Sequence, residues 1–185
     1  MTVLPFDELN KFADKVRERF GHDILPQSKA EEEDIIDELL DLFLLAYAMG
    51  NSVTNDNLSS NWMPPVDEVM RVVNAKVADK TWRERVEEYF QNGGTVDDIV
   101  RIAETEMHRI ANTSALDTAR QSGAKSKTWA TMLDDKVRMQ HEYLEGMTVG
   151  IDEDFYTYDG DHAPAPGLFE TAENNVNCRC ELIFS

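Results

Sequence analysis

TVDDIVRIAETEMHRIANTSALDTARQSGAKSKTWATM, residues 95–132, holds the change of pattern that sets the fold class. Thr95-Val96-Asp97-Asp98 resembles a capping box with Asp in the Glu position, so a long helix is predicted to begin there. Ile99, Ile102, Ala103, Glu106, Ile110, Thr113, Leu116 and Asp117 carry it on, and Gly123 is placed to end it. Beyond Gly123 the period changes, and residues 126–132 alternate as a short strand does. The chain therefore reads as α+β: a predominantly helical N-terminal part followed by a small mixed α/β C-terminal part with short strands. The change falls near residue 124.

Upstream, Phe6, Leu9, Phe12, Ala13, Val16 and Phe20 recur at helical spacing, with Gly21 as the stop. A second helix opens on Glu31-Glu32-Glu33-Asp34, charges that suit a helix N-terminus. It runs through Ile35, Ile36, Leu39, Leu40, Phe43, Leu44 and Tyr47 to Gly50, and its broad apolar face makes it the expected central core helix. Residues 51–65, rich in Asn and Ser and closed by Pro64-Pro65, are expected to form a loop. Residues 66–78 and 80–91 read as two amphipathic helices or one bent helix, halted by Asn92-Gly93-Gly94. The expected division is a helical region over 1–94 and a second domain over 95–185, with a helix at 95–122 and mixed structure at 124–185.

Downstream, residues 134–145 are predicted as a short helix closed by Gly146 at C′. Phe155-Tyr156-Thr157-Tyr158 is β-prone, Asp159-Gly160-Asp161 is a turn, and residues 162–167, with Pro164 and Pro166, form an extended loop. Residues 177–184 are predicted as a last strand, with Cys178, Cys180, Leu182 and Phe184 on one face.

Bulk properties narrow the function. With 185 residues, 42% hydrophobic and 9% aromatic, the chain can pack a core and is not disordered in character. Its net charge of −18 repels nucleic-acid phosphates and anionic lipid at long range. Residues 1–100 carry −11 and residues 141–185 carry −9, whereas residues 101–140 carry +2. Any nucleic-acid contact would fall on that middle stretch, with Arg109, Arg120, Lys125, Lys127, Lys136 and Arg138. A helix face of mixed charge gives the same count. The first residues lack the basic start of a signal peptide. Residues 42–49, the longest apolar run, are too short to cross a bilayer. Cys178 and Cys180 lie too close in sequence for a structural disulfide framework. The setting read from these features is a cytosol, or a particle assembled in one.

Arg138 and His141, at i and i+3, share a helix face with Asp134 one turn earlier. Such a trio can hold an anion and move a proton, or it can simply pin a helix to a sheet; the second reading is the default. Cys178 and Cys180, with His141 or His162, raise the question of zinc. Residues i and i+2 of a strand are roughly 6.5 Å apart at Cα, wide for two thiolates on one ion, so neither zinc nor any other cofactor is expected. A Cys nucleophile would need a base and a lowered pKa, and alternation would turn Arg179 away from both thiols. Asp152-Glu153-Asp154, with Asp159 and Asp161, lacks the order of a Ca²⁺ loop and reads as a solvated acidic loop. No P-loop, dinucleotide turn, G-x-S-x-G or H-E-x-x-H motif is present.

Several elements recur in a known order: Thr105-Glu106, Asn112, residues 120–123, and then Lys127-x-Trp129-x-x-x-x-Asp134-x-x-x-Arg138-x-x-His141. Leu144-Glu145-Gly146, Phe155, Pro166-Gly167 and a closing Asn177-Cys178-Arg179-Cys180 follow. In this order and spacing, over roughly residues 100–185, the chain resembles the phage Mu protein F family of minor head proteins, the head-morphogenesis proteins encoded beside the portal gene. Ala46-Tyr47-x-x-Gly50 is similar to what precedes this domain in such proteins. The resemblance implies a minor structural component of the bacteriophage head, inside the virion and in the host cytoplasm during assembly. It would assist procapsid assembly and portal-associated DNA packaging or ejection. The implied partners are the portal protein and the major capsid protein or scaffold, with no membrane and no catalytic residues. The charge of −18 argues against direct contact with genomic DNA. Some relatives are fused to toxin domains such as ADP-ribosyltransferases, and none is expected here. Trp129, Asp134, Arg138, His141, Gly146, Asn177, Cys178, Arg179 and Cys180 fall on the family pattern and are expected to form one structural knot. The alternative is a small metal-dependent or Cys/His enzyme using Asp134, Arg138, His141, Cys178 and Cys180.

Overall fold

Helix α1 (Phe6–Phe20) turns Leu9, Phe12, Ala13, Val16 and Phe20 inward as one stripe and stops at Gly21, whose φ is +77°. The computed structural model describes residues 6–21, 26, 28–77 and 79–185. The signal-peptide reading of residues 1–5 and the helix end expected at Ala78 lie outside the described residues.

Helix α2 (Lys29–Leu58) starts two residues before its acidic run, because the Ser28 side chain caps it by accepting from the Glu31 N–H. It also runs through Gly50 and well into the segment expected to be loop. Residues Asn51, Thr54 and Asn55 form the inner face of its last two turns. The Asn51 amide donates to Thr118 Oγ1 (2.9 Å), and Asn55 both donates to the Trp62 carbonyl (2.7 Å) and accepts from the Trp62 N–H (3.1 Å). Buried amides with partners are as compatible with a helix as apolar side chains are. The helix ends at Ser59, a left-handed residue at φ 53°.

Two separate helices follow, α3 (Val66–Val73) and α4 (Trp82–Asn92), the second opened by a Thr81–Glu84 capping box. Helix α5 (Val96–Gln121) begins with the capping box its sequence announces: Thr95 Oγ1 accepts from the Asp98 N–H (3.2 Å) and the Asp98 carboxylate from the Thr95 N–H (2.9 Å). The centre of the molecule is α5 rather than α2. Seven consecutive residues, 106–112, are buried, so the helix is enclosed on every side there. At ~1.5 Å per residue it is about 39 Å long. It serves two cores: one built with α1 to α4 around Phe43, Trp82 and Ile110, the other around Leu116, Trp129, Leu144, Phe155 and Phe169.

The second core lies under a three-stranded antiparallel sheet of order β2-β1-β5, made of β1 (Ser126–Ala130), β2 (Thr148–Gly150) and β5 (Glu181–Phe184). Trp129 is paired with Leu182 across it. A two-stranded ribbon, β3 (Phe155–Tyr156) with β4 (His162–Ala163), lies beside it, and the short helices α6 (Met139–Leu144) and α7 (Ala172–Asn175) complete the C-terminal part. Two expectations are corrected. The helix expected at 134–145 begins at Met139, because Leu133 is left-handed (φ 53°) and the Asp134 carboxylate accepts from the Lys136 N–H (3.1 Å), a local turn that competes with a helix. The last strand begins at Glu181 rather than Asn177, which is left-handed (φ 57°) in the turn after α7. No described helix is long and apolar enough to cross a membrane.

Candidate functional site

Cys178, Arg179 and Cys180 form the irregular link between that turn and β5. An extended pair would hold its thiols apart, but both sulfurs here face one ring. His141 Nδ1 on α6 lies 3.6 Å from Cys178 Sγ and 3.4 Å from Cys180 Sγ, and the three atoms lie within 4.8 Å of one another. All three residues are buried, and both cysteines are free thiols. The His141 ring is wedged between Phe169, stacked at 5.5 Å, and Trp129, edge-on at 5.4 Å. His162, the other histidine considered with them, is elsewhere: its Nδ1 pairs with Asp154 at 2.9 Å and its ring stacks on Tyr156.

The charged motif residues hold this arrangement from outside. Asp134 pairs with Arg179, not with Arg138, through two bonds of 2.7 and 2.8 Å. Such a fork is directional as well as attractive. Arg138 donates to the carbonyls of Asn174 (3.2 Å) and Val176 (2.6 Å), fixing the turn that presents the thiols. Gly146, at φ 71°, ends α6 and donates its N–H to the Trp129 carbonyl (3.0 Å), tying α6 to β1. From the far side, Asn112 of α5 donates to the Cys180 carbonyl (3.1 Å).

The electrostatics follow from the packing. The Cys178 thiol is pulled well below its ordinary value by a hydrogen bond from Cys180 and, after the opposing effect of burial, by His141. Cys180 is pushed up, first by its bond to Cys178 and then by burial. Cys178 is therefore the first of the pair to ionise. Burial also lowers His108 on α5 to about 4, so that ring stays neutral. A thiolate beside an imidazole has the elements of a nucleophile and its base. The adjoining cavity is about 10 Å³, lined by Met132, Arg138, Asn177 and the three residues themselves. That is room for roughly one water molecule and no more.

The basic stretch considered for nucleic acid is divided, with Arg109 and Lys127 committed inside the fold and the others at or nearer the surface. Arg109 is buried, pairs with Glu106 (2.8 Å) and donates to the Val72 (3.1 Å) and Val73 (3.3 Å) carbonyls at the end of α3. Lys127 is buried, donates to the Pro164 carbonyl (2.8 Å) and is lowered to about 8 by burial. Arg120 pairs with Asp152 (3.0 Å), while Lys125 and Lys136 are exposed. The acidic segment is committed too. Asp161 accepts from Thr171 Oγ1 (2.6 Å) and the Asn174 amide (2.8 Å), and Glu153 accepts from the Gly150 N–H (2.8 Å).

Sequence reasoning missed the roles of Asp161, Asn175 and the buried Arg109–Glu106 pair. Asn175 binds the Phe169 backbone at both its N–H (2.9 Å) and its carbonyl (2.7 Å). Its only signal is a polar pair, Asn174-Asn175, inside an otherwise turn-like segment.

The sequence profile described as Phage Mu protein F like protein matches residues 67–183, which takes in α3 to β5 and every residue of the knot. The chain belongs to the phage Mu protein F-like family of minor head proteins. The chain is 35% identical over 85 residues to minor head protein GP7 of Bacillus phage SPP1, covering 44% of this chain and 28% of that protein. It is also 35% identical over 88 residues to the NAD(+)–arginine ADP-ribosyltransferase EFV of Enterococcus faecalis, covering 45% of this chain and 18% of that protein. The chain thus spans less than a third of either relative. No solved structure matches it.

Proposed function

We propose that this Mu F-like chain is a minor structural protein of a phage head, working inside the procapsid at the portal vertex in assembly and in DNA packaging or ejection. The observations that carry the reading are the family match over residues 67–183 and the 35% identity over 85 residues to minor head protein GP7. The structure supports it in a second way. The motif side chains are spent on each other, on backbone carbonyls and on α5, around a cavity the size of one water. They leave no room for a substrate beside His141 and the two cysteines. With a net charge of −18 and with Arg109 and Lys127 internal, its contacts are with proteins (portal, major capsid protein or scaffold) rather than with DNA phosphates.

Co-expression with the portal, scaffold and capsid proteins of the same phage tests this. The chain should sediment with procapsids, and portal-free shells should contain less of it. A chain that stays in the soluble fraction while complete procapsids form without it overturns the proposal.

A further inference from the structure

We infer that His141, Cys178 and Cys180 form a zinc site that clasps the 177–180 link to α6. With Zn–N near 2.05 Å and Zn–S near 2.3 Å in tetrahedral geometry, an N···S edge is about 3.6 Å. The two edges here are 3.4 and 3.6 Å, both from the same Nδ1. Two edges of that tetrahedron are therefore already present, and the third, between the sulfurs, is no longer than 4.8 Å. The water-sized cavity beside them supplies the fourth corner.

Three further features fit. The donors are two sulfurs and one imidazole nitrogen, the set a borderline-soft d¹⁰ cation prefers over oxygen-binding ions. Two thiolates and one Zn²⁺ sum to zero charge, so a site buried this deeply is not left with a lone ion. The ligands are also held before any metal arrives: Arg138 fixes the preceding turn, the Asp134–Arg179 fork fixes the residue between the cysteines, and Asn112 holds the Cys180 carbonyl. Among the described residues this is the one group of three such side chains close enough to share an ion.

Binding would replace two S–H protons, which pass to solvent, by two Zn–S bonds; no electron is transferred, and uptake strengthens as pH rises. With no room for a substrate beside it, the ion is a clasp between the 177–180 link and α6, holding the segment that leads into β5 in place.

The test uses the whole chain, reduced and stripped of metal, with Zn²⁺ and Co²⁺ as probes. One Zn²⁺ per chain should bind, with a rise in thermal midpoint. Co²⁺ should give the thiolate charge-transfer and tetrahedral d–d bands. An organomercurial thiol reagent should then release the zinc from the unmodified protein, which requires no variant to fold. The Cys178→Ser/Cys180→Ser double variant should lose more affinity than the roughly 10–100-fold typical of an outer-shell partner. The inference is overturned if the unmodified protein takes up neither ion at micromolar concentration. Cobalt binding without thiolate bands, or a double variant that binds zinc as tightly as the parent, would overturn it equally.

Discussion

Gly50 of α2 lies directly on the backbone of Ala111 in α5: a β-carbon at Gly50 would overlap the Ala111 carbonyl oxygen, with the carbonyl carbon 3.1 Å and Cα 3.2 Å away. A mid-helix glycine costs about 1 kcal/mol relative to alanine, and here it allows the two longest helices to touch. Gly50→Ala should therefore destabilise the protein by roughly 1–3 kcal/mol, as overpacking does, despite the better helix former. Denaturant midpoints of the two proteins measure it, and an unchanged or raised midpoint would show that the close approach is dispensable.

Arg109 joins Glu106 to the end of α3, so Arg109→Met should leave a buried carboxylate with Arg85 alone and remove the guanidinium's bonds to the Val72 and Val73 carbonyls. Breaking one side of a buried pair costs about 3–5 kcal/mol. Arg109→Lys should recover little, since an ammonium cannot fork across two carbonyls and a carboxylate together. Equilibrium unfolding of both variants decides it; a loss within the noise of a surface substitution would contradict the assignment.

His108 is lowered by burial to about 4 in the folded chain, against about 6.5 when unfolded. As pH falls, the unfolded chain takes up this proton first, so stability from this residue is complete above about 6.5 and is lost progressively towards 4. The loss approaches roughly 3 kcal/mol over that window. His108→Leu should flatten this part of the stability–pH profile. Parallel profiles for parent and variant would refute the shift.

The fork from Asp134 to Arg179 shields the cysteine link without contributing to the core. Asp134→Asn should leave the fold intact while raising the rate of Cys178 and Cys180 modification by a thiol reagent, on the order of tenfold, through easier local opening. Hydrogen exchange at residues 177–180 should rise with it. Equal rates in parent and variant would assign Asp134 to the surface alone.

The contrast between Thr95–Asp98 and residues 134–138 shows what could be read in advance. Capping of α5 is local: donor, acceptor and helix lie within four residues, so the motif in the chain is the motif in space. Asp134 also has local partners, and it looked like the head of a helix with Arg138 one turn on. Its carboxylate instead bonds Lys136 and a guanidinium 45 residues away, which no spacing rule anticipates. Asn51 and Asn55 misled in the same way. Their composition says loop, but Thr118 and the Trp62 backbone let them sit inside a helix.

By itself the sequence determined the α+β class, the extent of α5, the switch to short strands after Gly123 and the family to which the chain belongs. Each of these depends on periodicity, caps or ordered motifs, which are properties of neighbours along the chain. Only the tertiary structure decided that α5 is the central helix, that Arg109 and Lys127 of the basic stretch face inward, and that two cysteines and a histidine share one point. Those depend on which side chains satisfy which buried groups across tens of residues, and it is the irregular course of residues 178–180 that lets both thiols meet one histidine on α6.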